Sequence, residues 1–505
     1  MSAAFHLYRR YFWPLLCGTA LGLMLGCSGL LEFDDCQTDA DCTRFGSGLK
    51  CQANRCEAPL IETYGDLLTY PCTHVYGVEP NEPYQASTYL LGVVLPFSGD
   101  LESYGPPIDR GVELAVTEIN QAGGVFGDDI VVVSCDSATD SEVAAEAARH
   151  LIQQVGVSAV IGAAASTVTR DVFNEVAKDA GTLMVSPAST ATVLTDLPDN
   201  GLLWRTAPSD AIQGAAIGSY VLAQEFERVA MIVRDDTYGN DLRDAILATL
   251  CAPESGFDCD PDNGRFFSRT YSEATEADDQ SNALVSMSQS GFVPDVIVLI
   301  SFVEDGIAFM NLADQAGHQR FVLTDGMRSN DLVGKVSDEV LCQVMGTSPA
   351  SPAGEAYQSF ALRYEGRFGE EPGTFAANAY DALFLLGYAI AGSDPSEPLS
   401  GAGLAAQLER LSAGEATPAG TNSWNARIQT LRNNQAATID YQGASGKLDF
   451  DESTGEALSN IEAWAFDLQK GEVESLGVMY TEDGQYLPLQ STVGTDCAVS
   501  GASTQ

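Results

Sequence analysis

Basic residues are scarce in this chain. Lys and Arg total 25 against 70 Asp and Glu, a formal net charge of −45 over 505 residues. So negative a surface repels the phosphate backbone that nucleic-acid binders must neutralise, which excludes nucleic acid as a partner. Histidine is scarcer still: His6, His74, His150 and His318 stand far apart and form no H-E-x-x-H, so no His-based metal site is expected. G-x-S-x-G, Walker A and G-x-G-x-x-G motifs are also absent, as is a Cys/His pair suited to nucleophilic catalysis. The chain therefore reads as a non-enzyme, with no cofactor and no metal. Apolar residues, by contrast, make up 45% of it and charged ones only 19%. At roughly 150 residues per domain there is room for about three domains with substantial cores.

The first 26 residues read as an address. Arg9-Arg10 precedes the apolar run Tyr11 to Leu25, which is too short for a transmembrane helix and fits a secretory signal. Its ending, Leu23-Met24-Leu25-Gly26-Cys27, resembles a bacterial lipobox, in which the cysteine becomes the lipidated first residue of the mature protein. Cys27 is thus the lipidation candidate, and the resemblance implies a chain exported and lipid-anchored to a bacterial membrane, on its periplasmic or cell-surface side.

Cysteine usage agrees with export. Of 12 Cys, Cys17 leaves with the signal and Cys27 is acylated, so ten remain: Cys36, Cys42, Cys51, Cys56, Cys72, Cys135, Cys251, Cys259, Cys342 and Cys497. An even number is compatible with disulfides in an oxidising compartment. The first four crowd into a polar segment that cannot bury a core and needs bridges as staples. Their spacings lack paired C-x2-C ligands, which argues against zinc. Pro59, Pro71, Pro80 and Pro83 then mark a connector, so residues 27–87 are expected to be a Cys-rich tether and linker.

From Tyr89 onward strands and helices alternate. Tyr89 to Phe97 is a continuous apolar run, as expected of a strand buried on both faces. Pro106 to Gln121 follows, with apolar residues at helical spacing, a proline at its start and Gly123-Gly124 past its end. The same alternation predicts strands at Ile130–Cys135, Ala159–Ala164 and Thr182–Val185, then at Val229–Val233, Phe266–Tyr271, Val296–Ile300 and Phe321–Thr324. Helices of ordinary length separate them. Such a series implies right-handed crossovers and parallel sheets covered on both faces, and two series imply two doubly wound α/β domains. After Gly326 the pattern turns helix-rich, over Glu355–Phe368, Ala376–Ala391 and Leu404–Leu411. Short strands follow around Gly446–Phe450, Ile461–Asp467 and Val473–Met479, and residues 491–505 form a tail.

Ligands of open parallel sheets bind at the carboxyl ends of strands. Pro96-Phe97-Ser98-Gly99, Tyr104-Gly105, Arg110-Gly111-Val112-Glu113-Leu114-Ala115 and Ile119-Asn120-Gln121-Ala122-Gly123-Gly124 surround the first such end. Together with Val160-Ile161-Gly162, Ser186-Pro187-Ala188-Ser189-Thr190, Tyr238-Gly239 and Gly446-Lys447-Leu448-Asp449-Phe450-Asp451, these residues closely resemble the periplasmic leucine/isoleucine/valine-binding protein family, the type I substrate-binding proteins of branched-chain amino acid ABC transporters. The resemblance runs from about residue 89 to about 485. It implies a type I periplasmic-binding-protein fold: two Rossmann-like lobes joined by three crossovers, near 209, 347 and 445. Lobe 1 would combine 88–208 with 348–444, and lobe 2 would combine 209–347 with 445–490. The implied partners are a small-molecule ligand, an amino acid or related amine or carboxylate, and an ABC permease.

The site residues follow residue by residue. Ser166 and Thr167 stand where a strand passes into a helix and offer hydroxyls and free N–H groups to a carboxylate. Ser189 and Thr190 could complete that cradle, while all four could equally be helix caps. The resemblance implies that the Ala188 carbonyl helps hold the ligand's ammonium and that Asp325 pairs with it. A carboxylate in a closing cleft selects for a cation. Tyr238 matches a family tyrosine on lobe 2, and Tyr104 and Phe302 map onto aromatic positions bordering the ligand side chain. Where the family often links the loops at Thr139 and Ala165 by a disulfide, this chain has no cysteine. Its expected local pair is Cys251 with Cys259, with Cys72–Cys135 as a further pairing. The same fold also serves ligand-sensing receptors that do not transport, and a surface protein that has lost its ligand is a third reading.

Overall fold

The computed structural model describes residues 50–52, 55–57, 61–272, 276–351 and 354–489. The signal segment, Cys27, Cys36, Cys42, Cys497 and the expected tail lie outside them. Before residue 61, the described part is an antiparallel hairpin of Lys50–Gln52 and Arg55–Glu57 that sets Cys51 opposite Cys56.

From Ile61 the chain builds two large sheets that define two lobes, and a small parallel pair, Glu415–Pro418 with Ile439–Gln442. The first has eight strands, in spatial order Phe450–Asp451, Glu456–Ala457, Leu203–Arg205, Leu183–Ser186, Ala159–Gly162, Tyr89–Leu95, Ile130–Asp136 and Cys72–Tyr76. The second has seven: Phe266–Tyr271, Val229–Arg234, Val296–Ile300, Phe321–Leu323, Val344–Pro349, Ile461–Asp467 and Glu472–Tyr480. The central strands of each pair in parallel, because helices return the chain to the same end each time. Burial on both faces explains their unbroken apolar runs: every residue of Val229–Arg234 and Val296–Ile300 is buried. The helix Ala376–Gly392 is buried along its whole length. It packs against the helix Gly105–Gln121, where Gly111 is required: a Cβ there would lie 2.2 Å from the Ala376 carbonyl oxygen.

Strand pairing corrects two of the expected boundaries. Residues 61–87 are not merely a connector. Cys72–Tyr76 pairs antiparallel with Ile130–Asp136 as an edge strand, Tyr64 and Leu67 join the core, and Cys72–Cys135 is a disulfide. The buried His150 ring meets the Leu67 carbonyl at 2.8 Å, and the Tyr76 hydroxyl donates to Asp109. The third crossover also falls later than 445. Glu456–Ala457 pairs with Phe450–Asp451 and, at Arg205, with the first sheet, so the chain leaves that lobe only between Ala457 and Ile461. The Arg205–Glu456 ion pair, its guanidinium almost fully buried, holds this hairpin against the strand that precedes the first crossover.

The Cys251–Cys259 disulfide is present, and Cys51 and Cys342 are each in a disulfide as well. Among the described residues no helix is long and apolar enough to cross a membrane.

Candidate functional site

The two sheets point the carboxyl ends of their parallel strands at a shared cleft, which encloses a cavity of about 30 Å³. From the first lobe come Leu101, Tyr104, Ile108, Ser166, Ala188 and Thr190, and from the second Tyr238, Phe302 and Asp325. Phe375, in the left-handed region at φ 66° just before the helix Ala376–Gly392, closes one wall.

Asp325 begins a short turn after the strand Phe321–Leu323 and is buried. Its Oδ1 accepts from the Tyr238 hydroxyl at 2.7 Å and from Gln213 Nε2 at 3.0 Å. Burial raises its pKa, and these two hydrogen bonds oppose the rise. Both donors are neutral, so the carboxylate is hydrogen-bonded but not neutralised. Tyr238 also reaches Thr324 Oγ1 at 2.8 Å and stacks on Phe302 with ring centroids 5.6 Å apart. Burial, followed by the Asp325 charge, pushes the Tyr238 phenol well above its ordinary range and keeps it a donor.

Seven of the nine expected ligand residues therefore line the cavity, and two do not. Thr167 turns its hydroxyl to accept from the Thr237 N–H of the other lobe at 3.1 Å. Ser189 is buried behind the wall, bonded to Thr169 at 2.7 Å and to the Ala164 carbonyl at 3.0 Å, a structural role. The supposed carboxylate cradle is also partly filled from within. Ser166 Oγ accepts from the N–H groups of Thr190 and Ala191, and the Thr190 hydroxyl donates to Asp210 Oδ2 at 3.0 Å. The Ser166 oxygen thus occupies N–H groups that would otherwise face a ligand.

Several residues at the cleft were not anticipated. Arg234 ends the strand Val229–Arg234, lies over the Phe302 ring at 4.4 Å, and pairs with Asp236 and Asp305 of its own lobe and with Asp100 of the other. Arg170 Nη1 donates across the cleft to Thr237 Oγ1 at 2.7 Å, and Asp241 accepts from Val193 N at 2.7 Å. The lobes therefore meet in a closed arrangement through polar contacts around a small apolar cavity. Arg234 could have been found by reading one residue past the predicted strand end. Asp210 and Gln213 look in sequence like ordinary helix-start residues, and only tertiary packing places them at the site.

Comparisons with known proteins agree with this geometry. A family model described as periplasmic binding protein matches residues 88–445. The Leu/Ile/Val-binding protein BraC3 of Rhizobium johnstonii is 29% identical over 245 residues, which is 48% of this chain and 62% of that protein, so the chain spans about three-fifths of this relative's length. Among solved structures, the branched-chain amino acid transporter substrate binding protein LivJ of Streptococcus pneumoniae, in complex with isoleucine, superposes with a TM-score of 0.61 at 24% identity, over 77% of this chain and 99% of that one. A solute binding protein of an ABC transporter from Rhodopseudomonas palustris, in complex with 3,4-dihydroxy benzoic acid, gives 0.59 at 19% identity, over 78% and 97%. These likenesses show the type I periplasmic-binding-protein fold, with two mixed sheets forming two lobes. With the family model covering well over half of its length, the chain belongs to the periplasmic binding protein family, whose members bind substrates rather than transform them.

Proposed function

We propose that this protein is the extracytoplasmic solute-binding component of an ABC transporter, closing its lobes on a small amino-acid-like molecule and presenting it to a permease. The observation that carries the reading is Asp325, a buried carboxylate on the cavity wall held only by neutral donors. A carboxylate so placed selects a cationic group and disfavours a plain carboxylic acid such as the aromatic acid bound by one structural relative. The branched-chain amino acids named for other relatives carry the required ammonium. The apolar surfaces of Leu101, Ile108, Phe302 and Phe375 suit an uncharged side chain. A cavity of about 30 Å³ is smaller than such a ligand, so entry requires the lobes to part and close again around it. Lipid attachment at Cys27 would keep the protein beside the membrane that holds its permease.

A thermal-shift screen of the full chain against amino acids, amines and small acids tests the reading. A ligand of the closed state raises the melting temperature by mass action, and Asp325→Ala should abolish the rise for ammonium-bearing hits. Hits confined to carboxylic acids without an amine, or undiminished in Asp325→Ala, would overturn it.

A further inference from the structure

Asp210 is a second buried carboxylate that the reading above does not use. It opens the helix Asp210–Ala223 and has no exposed surface. Its Oδ2 accepts from Thr190 Oγ1 at 3.0 Å, and its Oδ1 has no hydrogen-bond partner. Gln213, one turn further along the same helix face, is the residue that donates to Asp325. The helix thereby brings two acids together: Asp325 on the cavity wall, and Asp210 directly behind Thr190, which lines the cavity.

Among the described residues, no cation forms an ion pair with either acid, although the Arg205 charge opposes the rise in the Asp210 pKa. The Arg205 guanidinium is instead committed to the carbonyls of Ser189 and Ala191, the Thr195 hydroxyl and Glu456. Asp241, on the neighbouring helix Thr237–Leu250, adds negative charge. Near Asp325, Tyr104 and Tyr238 are kept protonated by burial and by the Asp325 charge, and Arg328 is paired with Glu462 at 2.7 Å. Burial first and then Asp325 hold the Asp210 carboxyl well above the usual carboxylate range. Two buried carboxylates with only neutral partners do not both ionise.

We propose that Asp210 and Asp325 share one proton while the site is empty, and that a primary ammonium group of the solute takes that proton's place. The second half rests on the solute-binding reading; the first does not. Charge balances across the exchange: the empty pair carries one negative charge, and the pair fully ionised around one ammonium also carries one. The displaced proton goes to solvent. Affinity for an ammonium ligand then rises about tenfold per pH unit wherever the empty pair keeps its proton. A quaternary ammonium brings charge but no N–H to offer Asp325, so the site rejects it. Asp210 does not line the cavity and acts as a positioning residue, through Thr190 and Asp325.

Infrared spectroscopy of the full chain at pH 8 tests both halves. Asp109 and Asp381, each with a pKa raised to about 6, are ionised there and do not contribute. The empty protein should show a protonated-carboxyl carbonyl band that is absent from Asp210→Asn and from Asp325→Asn. No band in the wild type, or a band that persists in both variants, overturns the shared proton. Should Asp210→Asn fail to fold, the wild type and Asp325→Asn decide the matter. Adding methylammonium should bleach the band, and tetramethylammonium should leave it. A band that methylammonium does not change overturns the exchange while the shared proton stands. Failure of the amino-acid screen is a separate result that bears only on the solute.

Discussion

The Tyr104 hydroxyl donates to the Asp325 main-chain carbonyl at 2.8 Å, joining residues 221 apart in sequence and on opposite lobes. The bond exists only when the cleft is shut, and it ends on the residue whose carboxylate faces the cavity. Tyr104→Phe keeps the ring and removes the bond. Its expected effect is a loss of solute affinity of roughly 1 kcal/mol, about fivefold, with thermal stability of the solute-free protein little changed. Calorimetric titration of both proteins with the solute found by screening checks this; equal affinities would show that the bond contributes nothing to closure.

Asp100 is a first-lobe carboxylate paired with Arg234, at 2.5 Å, and it is partly exposed. Asp100→Asn should weaken binding mainly through faster opening, and the difference from wild type should shrink as salt is raised from 50 to 500 mM, on the order of the Debye screening expected for a rim charge. Stopped-flow dissociation rates at the two ionic strengths give the answer. Asp305→Asn is different in kind, because Asp305 and Arg234 are both buried, and the change takes a buried counter-charge from a guanidinium that keeps Asp236 and Asp100. It should lower the unfolding midpoint even without solute.

Two buried aspartates in the first lobe tie stability to pH. Asp109 accepts from Tyr76 and Ser134, and Asp381 from Tyr441, Ser445 and two main-chain N–H groups. Burial raises each pKa to about 6, above the unfolded value. A pKa raised on folding stabilises most below the unfolded pKa, and that contribution is lost as pH rises through about 6. These two groups therefore make the protein more stable at pH 5 than at pH 7. Asp109→Asn, which imitates the protonated acid, should flatten that rise; denaturant unfolding at the two pH values, with wild type alongside, measures the difference.

The Cys72–Cys135 bridge closes a loop of 63 residues. Chain entropy alone predicts a loss on the order of 4 kcal/mol for Cys72→Ser/Cys135→Ser, read as a lower guanidinium midpoint. An unchanged midpoint would mean that the pairing of Cys72–Tyr76 with Ile130–Asp136 holds the extension by itself.

The alternation of apolar runs and helical patterns made the parallel core of both lobes legible, since a strand buried on both faces leaves an unbroken run such as Val296–Ile300. Edge elements left no such mark. Cys72–Tyr76 alternates only weakly and sits between Pro71 and Pro80, so its local chemistry reads as a connector until its partner strand is known. Strands as short as Phe450–Asp451 and Glu456–Ala457 show no period at all, which is why the third crossover was expected too early. At the cleft, the family resemblance, read at positions that follow strands, brought out Tyr238 and Asp325. Which hydroxyls face the cavity could not be read that way. Ser189 and Thr190 are adjacent in sequence, yet one bonds back into the wall and the other lines the cavity.

The disulfide-linked edge strand also sets a mechanical load path. A pull applied at Ile61 reaches Cys72 and passes through a covalent bond into the strand Ile130–Asp136. None of the three crossovers lies on that route, so tension that enters the first lobe at Ile61 and crosses this bond stays within that lobe.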